Sequence, residues 1–156
     1  MPVSPQNPVT PAGPEDDESI SGTDHIYRRI PPTQAPFDAN RQRRWPSSAS
    51  LLPSGNDNEV SVYLGSVLEE YELEPIDVLE GHESYGLIWF LASSARAAGY
   101  GILRDPVLTS KRPLRVDPAH AVLTGTPLTS KQRRKPARAL LGDDQIFVMK
   151  DPDGYS

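Results

Sequence analysis

A chain of 156 residues has room for one domain and a tail, because most domains span roughly 100 to 150 residues. The absence of cysteine excludes disulfides, a thiol nucleophile and cysteine-based metal sites, and the net charge of −5 disfavours bulk attraction to nucleic acid. The start of the chain lacks the basic and apolar regions of a signal peptide, and no apolar run approaches the roughly 20 residues of a membrane span, so we expect a cytoplasmic protein without membrane contact.

Residues 1–23 are rich in proline and carboxylates and contain few large apolar side chains. Such a segment buries too little surface to offset the entropy of ordering it, which predicts a disordered tail that serves either as a solubilising extension or as a partner-binding arm. The compact domain is then expected over residues 24–150, followed by a disordered C-terminus over residues 151–156.

The first predicted strand covers residues 26–30 and stops at two prolines, which favours a position at a sheet edge. Residues 31–58 read as a long loop. The alternation over residues 60–64 predicts a half-buried strand. Pro75 is suited to the first turn of a short helix that ends before Gly81.

Residues 85–91 form a nearly continuous apolar run, which predicts a strand buried on both faces, with a helix as the alternative, and places Trp89, Phe90 and Leu91 at the centre of the core. A helical turn over residues 95–98 and a strand over residues 100–104 follow. The second half adds a strand over residues 119–123, a basic helix to Leu141 that Pro136 interrupts or restarts, and an edge strand over residues 146–149. This order predicts an α+β fold with a single small mixed sheet and short helices.

Charge is segregated along the chain. Residues 59–83, the acidic segment, contain eight carboxylates and no Lys or Arg, whereas residues 96–138, the basic segment, contain ten cations and two carboxylates. Opposite charges of this size either face each other in the fold or create a bipolar surface that attracts partners. Of the two arrangements, we expect direct pairing of the basic helix with the acidic segment.

Histidines supply the first candidates for chemistry. His82 and Glu83 are adjacent on a loop and could act together as acid and base, although a solvated loop pair also accounts for them. Asp117 and His120 could ligate a metal if His82 joined them, but a structural role for His120 within the sheet is the simpler interpretation. We therefore predict neither a metal site nor a cofactor.

Arginine and serine suggest an anion site, since guanidinium groups bind phosphate or carboxylate bidentately. Arg28, Ser48 and Glu83 follow the Arg, Ser, Glu order of the ADP-ribosyltransferase-like fold, to which the chain has a loose resemblance. The predicted binding residues lie in two clusters. They are Arg43, Arg44 and Trp45 in the long loop, and Arg133, Arg134 and Lys135 in the basic helix.

A wider resemblance covers residues 26–125. The strings Tyr27-Arg28-Arg29, Pro46-Ser47-Ser48-Ala49, Ser61-Val62, Asp105-Pro106 and Pro118-Ala119-His120-Ala121 resemble a recurrent pattern in a group of small uncharacterised bacterial proteins. The chain departs from that pattern at Trp45, where the group tends to have arginine, and in its acidic insertion. The resemblance implies a bacterial source and one compact domain, and it implies no catalytic residue.

Two functions of different classes remain open. The leading hypothesis is a protein-binding module, or a subunit of a bacterial assembly, that acts through segregated acidic and basic faces, with another protein as partner and nucleic acid as the less favoured one. The alternative is a small enzyme or toxin that acts on a nucleotide, a dinucleotide or RNA, with Arg28, Ser48, His82, Glu83 and His120 as its candidate catalytic residues.

Overall fold

Eight strands are present in the structure, a computed structural model that describes residues 15–52, 60–108, 113–125, 130–142 and 145–152, the side chains of 130–133 excepted. Six of them form one sheet in the order β6-β7-β4-β1-β5-β8, and β2 and β3 pair as a separate hairpin. The strands are β1 (His25–Ile30), β2 (Phe37–Asp38), β3 (Arg43–Arg44), β4 (Val60–Leu64), β5 (Gly86–Leu91), β6 (Gly101–Arg104), β7 (His120–Thr124) and β8 (Ile146–Lys150).

The helices lie between the strands and confirm the α+β class. They are α1 (Gly65–Glu70), α2 (Ala92–Ala97) and α3 (Ser130–Leu140), with short 3₁₀ helices at Pro32–Gln34, Ser48–Leu51, Pro75–Leu79 and Asp117–Ala119. Neighbouring strands in both sheets are antiparallel. The strand–helix–strand unit β4-α1-β5 does not make a parallel pair, because β1 lies between β4 and β5. None of the described helices has the length and apolar character that a membrane crossing requires.

β1 lies inside the sheet, with β4 on one side and β5 on the other, so the predicted edge position is wrong. Pro31 only ends the strand; within β1 itself every residue has a backbone N–H to donate. β8 is an edge strand, as expected, and pairs with β5 alone.

Two neighbouring arginines of β1 show which elements cover which face of the sheet, because successive side chains of a strand point to opposite faces. Arg28 Nε donates to the carbonyl of Ser50, in the 3₁₀ helix Ser48–Leu51 against which α3 packs. Arg29 Nη1 donates to the carbonyl of Val78, in the 3₁₀ helix Pro75–Leu79. The 3₁₀ helix Pro75–Leu79 of the acidic segment and the basic helix α3 therefore lie on opposite faces.

The start of α1 packs against the same face as Arg29. A Cβ at Gly65 would lie 2.9 Å from the His25 carbonyl oxygen and 3.1 Å from the Tyr27 ring, so only glycine allows the helix to begin this close to β1. Tyr27 and Arg29 are two residues apart on the strand and share a face. Both α1 and the turn that follows it thus belong to the acidic side of the molecule.

The core fills the space between the sheet and the covering helices. Phe90 is completely buried, as predicted, whereas Trp89 and Leu91 are only partly buried, because their face of β5 carries a surface row of rings. In this row Trp89 stacks between His25 and Phe147, with ring centroids 4.0 and 4.2 Å apart.

Residues 15–23 pack on the domain, although the tail predicted from the sequence extends to residue 23. Ile20 is 1% exposed, and the Asp17 amide donates to the Ile102 carbonyl at 2.8 Å. Arg96 and Arg104 form ion pairs with Asp16 and Asp17. Ile20 and contacts with residues far along the chain fix residues 15–23. The composition of this segment alone does not predict those contacts. Residues 1–14 and 153–156 of the predicted tails lie outside the described residues.

Candidate functional site

Three residues from three strands or strand ends form a continuous hydrogen-bonded line, the Ser61 network. His120, the first residue of β7, has its Nε2 atom 3.1 Å from Ser61 Oγ on β4. Its Nδ1 atom lies 2.7 Å from the carbonyl oxygen of Asp105, just after β6, and 3.3 Å from the Asp105 carboxylate. Because both Asp105 atoms are acceptors, Nδ1 carries a proton, and in the neutral ring Nε2 is then the acceptor for the Ser61 hydroxyl.

Strand pairing explains why these residues meet. His120 is opposite Tyr63 in the ladder between β4 and β7, so its side chain shares a face with Ser61, two residues earlier on β4. The Asp105 amide also donates to the His120 carbonyl at 3.0 Å, which fixes Asp105 beside the histidine. Ser61 is exposed, whereas the His120 side chain retains only 13% of its exposure.

Arg28 holds the backbone of Ser61 from the other side. Its Nη1 donates to the Ser61 carbonyl at 2.7 Å, and its Nε donates to the Ser50 carbonyl at 2.9 Å. The described pairing of β1 with β4 ends at Tyr27 and Tyr63, so the guanidinium continues the link between the strands where the ladder stops. Burial lowers the pKa of Arg28 to about 10.

A second line of polar contacts runs from the network to the acidic side. Arg29 donates from Nη2 to the Tyr63 hydroxyl at 2.7 Å and lies 3.1 Å from His82 Nδ1. Tyr63 in turn contacts the His120 ring edge-on at 5.6 Å. Burial raises the pKa of Tyr63, although the Arg29 charge opposes the shift. Tyr63 therefore stays a neutral hydroxyl that connects the two histidines.

The candidate catalytic residues meet only in part. Arg28 and His120 meet at Ser61, and His82 reaches them through Arg29 and Tyr63. Ser48 instead lines a separate cleft, and Glu83 accepts the Gly81 amide on an exposed loop. The Arg, Ser, Glu order of the ADP-ribosyltransferase-like hypothesis thus does not assemble into one site.

The described residues contain no group of three or more His, Asp or Glu side chains that could hold a metal ion. Asp117, the expected companion of His120, is buried and accepts the Leu114 amide at 2.8 Å. It thereby fixes the turn that leads into β7.

Ser61, Asp105, Arg29 and Tyr63 were absent from the candidates chosen by sequence. Ser61 and Tyr63 were visible as the polar positions of an alternating strand, and Asp105 as the end of another strand. The sequence pattern does not predict the strand order of the sheet. Because β7 lies between β4 and β6, these residues come together.

The loop cluster around Trp45 forms a concave feature, the Trp45 cleft, between the β2–β3 hairpin and the end of α3. The cavity has a volume of about 490 Å³ and is lined by Phe37, Arg41, Trp45, Ser47, Ser48 and Arg138, among others. Trp45 Nε1 donates to the Leu141 carbonyl at 3.1 Å, which attaches the loop to α3. Arg41 lies over the Trp45 ring at 4.3 Å and pairs with Asp38.

The predicted binding arginines differ in their surroundings. Arg44 is buried and donates to the carbonyls of Ala35, Pro32 and Pro152 at 2.6, 2.7 and 3.0 Å, so it anchors the loop instead of facing a ligand. Arg43 pairs with Asp151 at 3.1 Å. On α3, Arg134, Lys135 and Arg138 are exposed, and the side chain of Arg133 lies outside the described part.

Within the described residues, ion pairs join the acidic segment and the basic segment at one place. Arg115 lies 3.1 Å from Asp77 and 3.3 Å from Glu80, and these carboxylates raise the pKa of Arg115. The basic helix α3 does not share in this pairing within the described structure, because it lies on the other face of the sheet. The expectation that α3 packs against the acidic segment is therefore wrong.

Comparison of the chain with models of known protein families, with curated proteins and with solved structures finds no match in any of the three.

Proposed function

We propose that the protein is a binding module, or a subunit of a bacterial assembly in the cytoplasm, that docks other proteins through two separate charged faces. The observation that supports this proposal is the placement of α3 on one face of the sheet and of the acidic residues that follow β4 on the other, with Arg28 and Arg29 marking the two sides. Charges that do not neutralise each other within the fold remain available to steer partners.

The acidic face has the composition of a docking surface. Glu69, Glu70 and Glu72 are exposed and form no ion pair within the described residues. Among them Tyr71 is 58% exposed, and Ile76 nearby is 50% exposed. Interfaces commonly combine apolar or aromatic anchors with a polar rim. The partner that fits this face is a basic protein surface with an apolar spot at its centre.

Two matched pairs of variants test this surface. Glu70→Lys is compared with Glu15→Lys, an exposed glutamate whose carbonyl accepts the Thr124 hydroxyl at the end of β7, and Tyr71→Ala is compared with Leu108→Ala, which removes a 79% exposed apolar side chain elsewhere. Proteins captured from lysate by the wild type, identified by mass spectrometry, are retested as purified proteins. We expect Glu70→Lys and Tyr71→Ala to weaken the binding at least about tenfold, with steep salt dependence. Equal binding by both members of each pair would disprove the acidic face as the docking surface.

The second candidate is a function on a nucleotide or RNA, and the Trp45 cleft favours it. Its volume lies within the roughly 300 to 1,000 Å³ of small-molecule sites, and it combines the exposed Phe37 ring with the Arg138 guanidinium and the hydroxyls of Ser47 and Ser48. A ring could stack on Phe37 while Arg138 binds a phosphate.

Titration with labelled single-stranded RNA and with AMP over a salt series separates the two candidates. Binding that Arg138→Ala abolishes, and that Arg134→Ala leaves intact, would support the cleft. Binding that falls equally with both variants would indicate a general electrostatic surface on α3. No binding to either probe at physiological salt is the result that the protein-binding proposal predicts.

A further inference from the structure

We propose that Ser61 is a nucleophile, activated by His120, that transfers acyl groups from small esters to water. This activity does not depend on the proposed docking function, because the reaction needs only Ser61, His120 and Asp105, and Ser61 on β4 is exposed to solvent. Three elements assemble the group: Ser61 from β4, His120 from the start of β7 and Asp105 from the end of β6.

The proton arrangement is the one that general-base catalysis needs. Two acceptor atoms of Asp105 lie 2.7 and 3.3 Å from His120 Nδ1, so this nitrogen donates and holds the ring in one orientation. The opposite nitrogen, Nε2, then presents its lone pair 3.1 Å from Ser61 Oγ. A base aligned by a third group and aimed at a hydroxyl is the arrangement that activates serine on unrelated folds.

Ser61 and His120 differ in solvent exposure, and this difference favours a reaction at Ser61. Ser61 is exposed to solvent, whereas the His120 side chain is only 13% exposed, between Asp105 and the Tyr63 ring, which contacts it edge-on. The Ser61 backbone is also immobilised, because its carbonyl accepts the Arg28 guanidinium at 2.7 Å and its strand is paired with β7 at positions 60–63. A fixed nucleophile beside an oriented base lowers the entropic cost of attack.

The step is a conventional acyl transfer. A bond forms between Ser61 Oγ and the ester carbonyl carbon while the hydroxyl proton passes to His120 Nε2. The bond from that carbon to the leaving oxygen then breaks, and Nε2 returns the proton to the departing alcohol. Water attacks the acyl-serine in the same way, which releases the acid and restores Ser61.

A fluorophosphonate probe tests the nucleophile, because Ser61 Oγ would displace fluoride and remain bonded to phosphorus. We expect intact-mass and peptide analysis of the full chain to show a single adduct on Ser61. Ser61→Ala should abolish labelling, and His120→Gln should slow it by at least about 100-fold, since the base is lost. Ser84→Ala, which removes an exposed serine from a loop, is the matched control and should label at the wild-type rate.

Hydrolysis of p-nitrophenyl acetate provides the second measurement, and circular dichroism verifies that each variant is folded. Turnover that disappears with Ser61→Ala and persists with Ser84→Ala supports the proposal. It is overturned if the wild type acquires no adduct at Ser61, if the label lies on another residue, or if folded Ser61→Ala hydrolyses the ester as fast as the wild type. The Ser61→Ala result decides the case even if His120→Gln fails to fold.

Discussion

The Asp24 carboxylate binds Ser66 twice. Its Oδ1 accepts the Ser66 amide at 2.9 Å and its Oδ2 accepts the Ser66 hydroxyl at 2.6 Å. Asp24 lies just before β1 and is buried, and Ser66 is in the first turn of α1, where backbone amides lack partners within the helix. A residue 42 positions earlier in the chain thus does for α1 what an N-cap side chain normally does.

Removal of this carboxylate should weaken the fold. We expect Asp24→Ala to lower the free energy of unfolding by about 1 to 3 kcal/mol, because a buried carboxylate that accepts two hydrogen bonds is lost and the first turn of α1 loses its acceptor. Urea denaturation measures the change. The adjacent exposed residue provides the control, and Thr23→Ala should cost less than about 0.5 kcal/mol. Similar losses for both variants would mean that the cap contributes nothing.

Phe90 tests where the core is centred. Phe90→Ala should cost about 3 to 5 kcal/mol, because the ring is 0% exposed and its removal leaves a cavity. Phe147→Ala is the matched control, since the same substitution there removes a ring that is 48% exposed. We expect it to cost roughly 1 kcal/mol. Guanidinium unfolding followed by circular dichroism would contradict the assignment if the two losses were equal.

Substitution by glycine should have opposite effects on stability at Glu72, which follows α1, and at a position within α1. The φ of Glu72 is 56°, and Glu72 ends α1 in a Schellman arrangement in which the Leu73 amide donates to the Leu68 carbonyl at 2.9 Å. Glycine adopts this conformation without a Cβ penalty, so Glu72→Gly should stabilise the fold by about 0.5 to 1 kcal/mol. Glu69→Gly, within α1, should instead destabilise it by up to about 1 kcal/mol. Thermal unfolding of both variants checks the pair.

Tyr100 makes stability depend on pH in the alkaline range. Burial raises its pKa to about 12 from an ordinary value near 10, and within the described structure its buried hydroxyl has no hydrogen-bond partner. The folded state therefore holds this proton more tightly than the unfolded state. The resulting stabilisation is complete below pH 10 and is lost as the pH rises towards about 12.

Tyr100→Phe removes that dependence and the unsatisfied hydroxyl. We expect the variant to equal or exceed the wild type in stability at pH 7 and to lose less stability between pH 10 and 12. Denaturation at each pH measures the difference. Tyr71→Phe, at an exposed position, is the control and should change neither value. An unchanged alkaline slope in Tyr100→Phe would contradict the argument.

The N-terminal boundary can be tested by two truncations. A chain that starts at Asp24 lacks Ile20 and Asp16, whereas a chain that starts at Glu15 keeps both. We expect the shorter chain to be less stable by at least about 2 kcal/mol, since it loses a buried isoleucine and the ion pair to Arg96. Equal melting temperatures for the two chains would show that the domain begins at residue 24, as the sequence alone predicted.

Local sequence patterns predicted the strands well. They failed where contacts between residues that are far apart in the sequence determine the structure. The alternation of residues 60–64 and the apolar run before Leu91 correspond to β4 and β5, and Pro75 starts a 3₁₀ helix as predicted for a short helix. Besides three short 3₁₀ helices, one helix and one hairpin were missed. One is α1, which begins at a glycine, and the other is the β2–β3 hairpin, whose strands have two residues each.

The candidate site was predicted less completely than the fold, since strand order brings its members together. His120 and Arg28 were selected by residue type, but their meeting point at Ser61 depends on β7 lying beside β4 and on the β1–β4 ladder ending at Tyr27. No pattern of neighbouring residues encodes those two facts.

The contact of residues 15–19 with β6 has a consequence for the fate of the chain in a crowded cell. An uncovered sheet edge offers unpaired amides and carbonyls to any other extended polypeptide and so templates aggregation. At β6 the Asp17 amide donates to the Ile102 carbonyl, and the Asp16 carboxylate accepts the Ile102 amide. Proteolysis between residues 15–19 and β1 would expose the edge of β6. Clipped molecules should then self-associate into β-rich aggregates, while intact molecules stay dispersed.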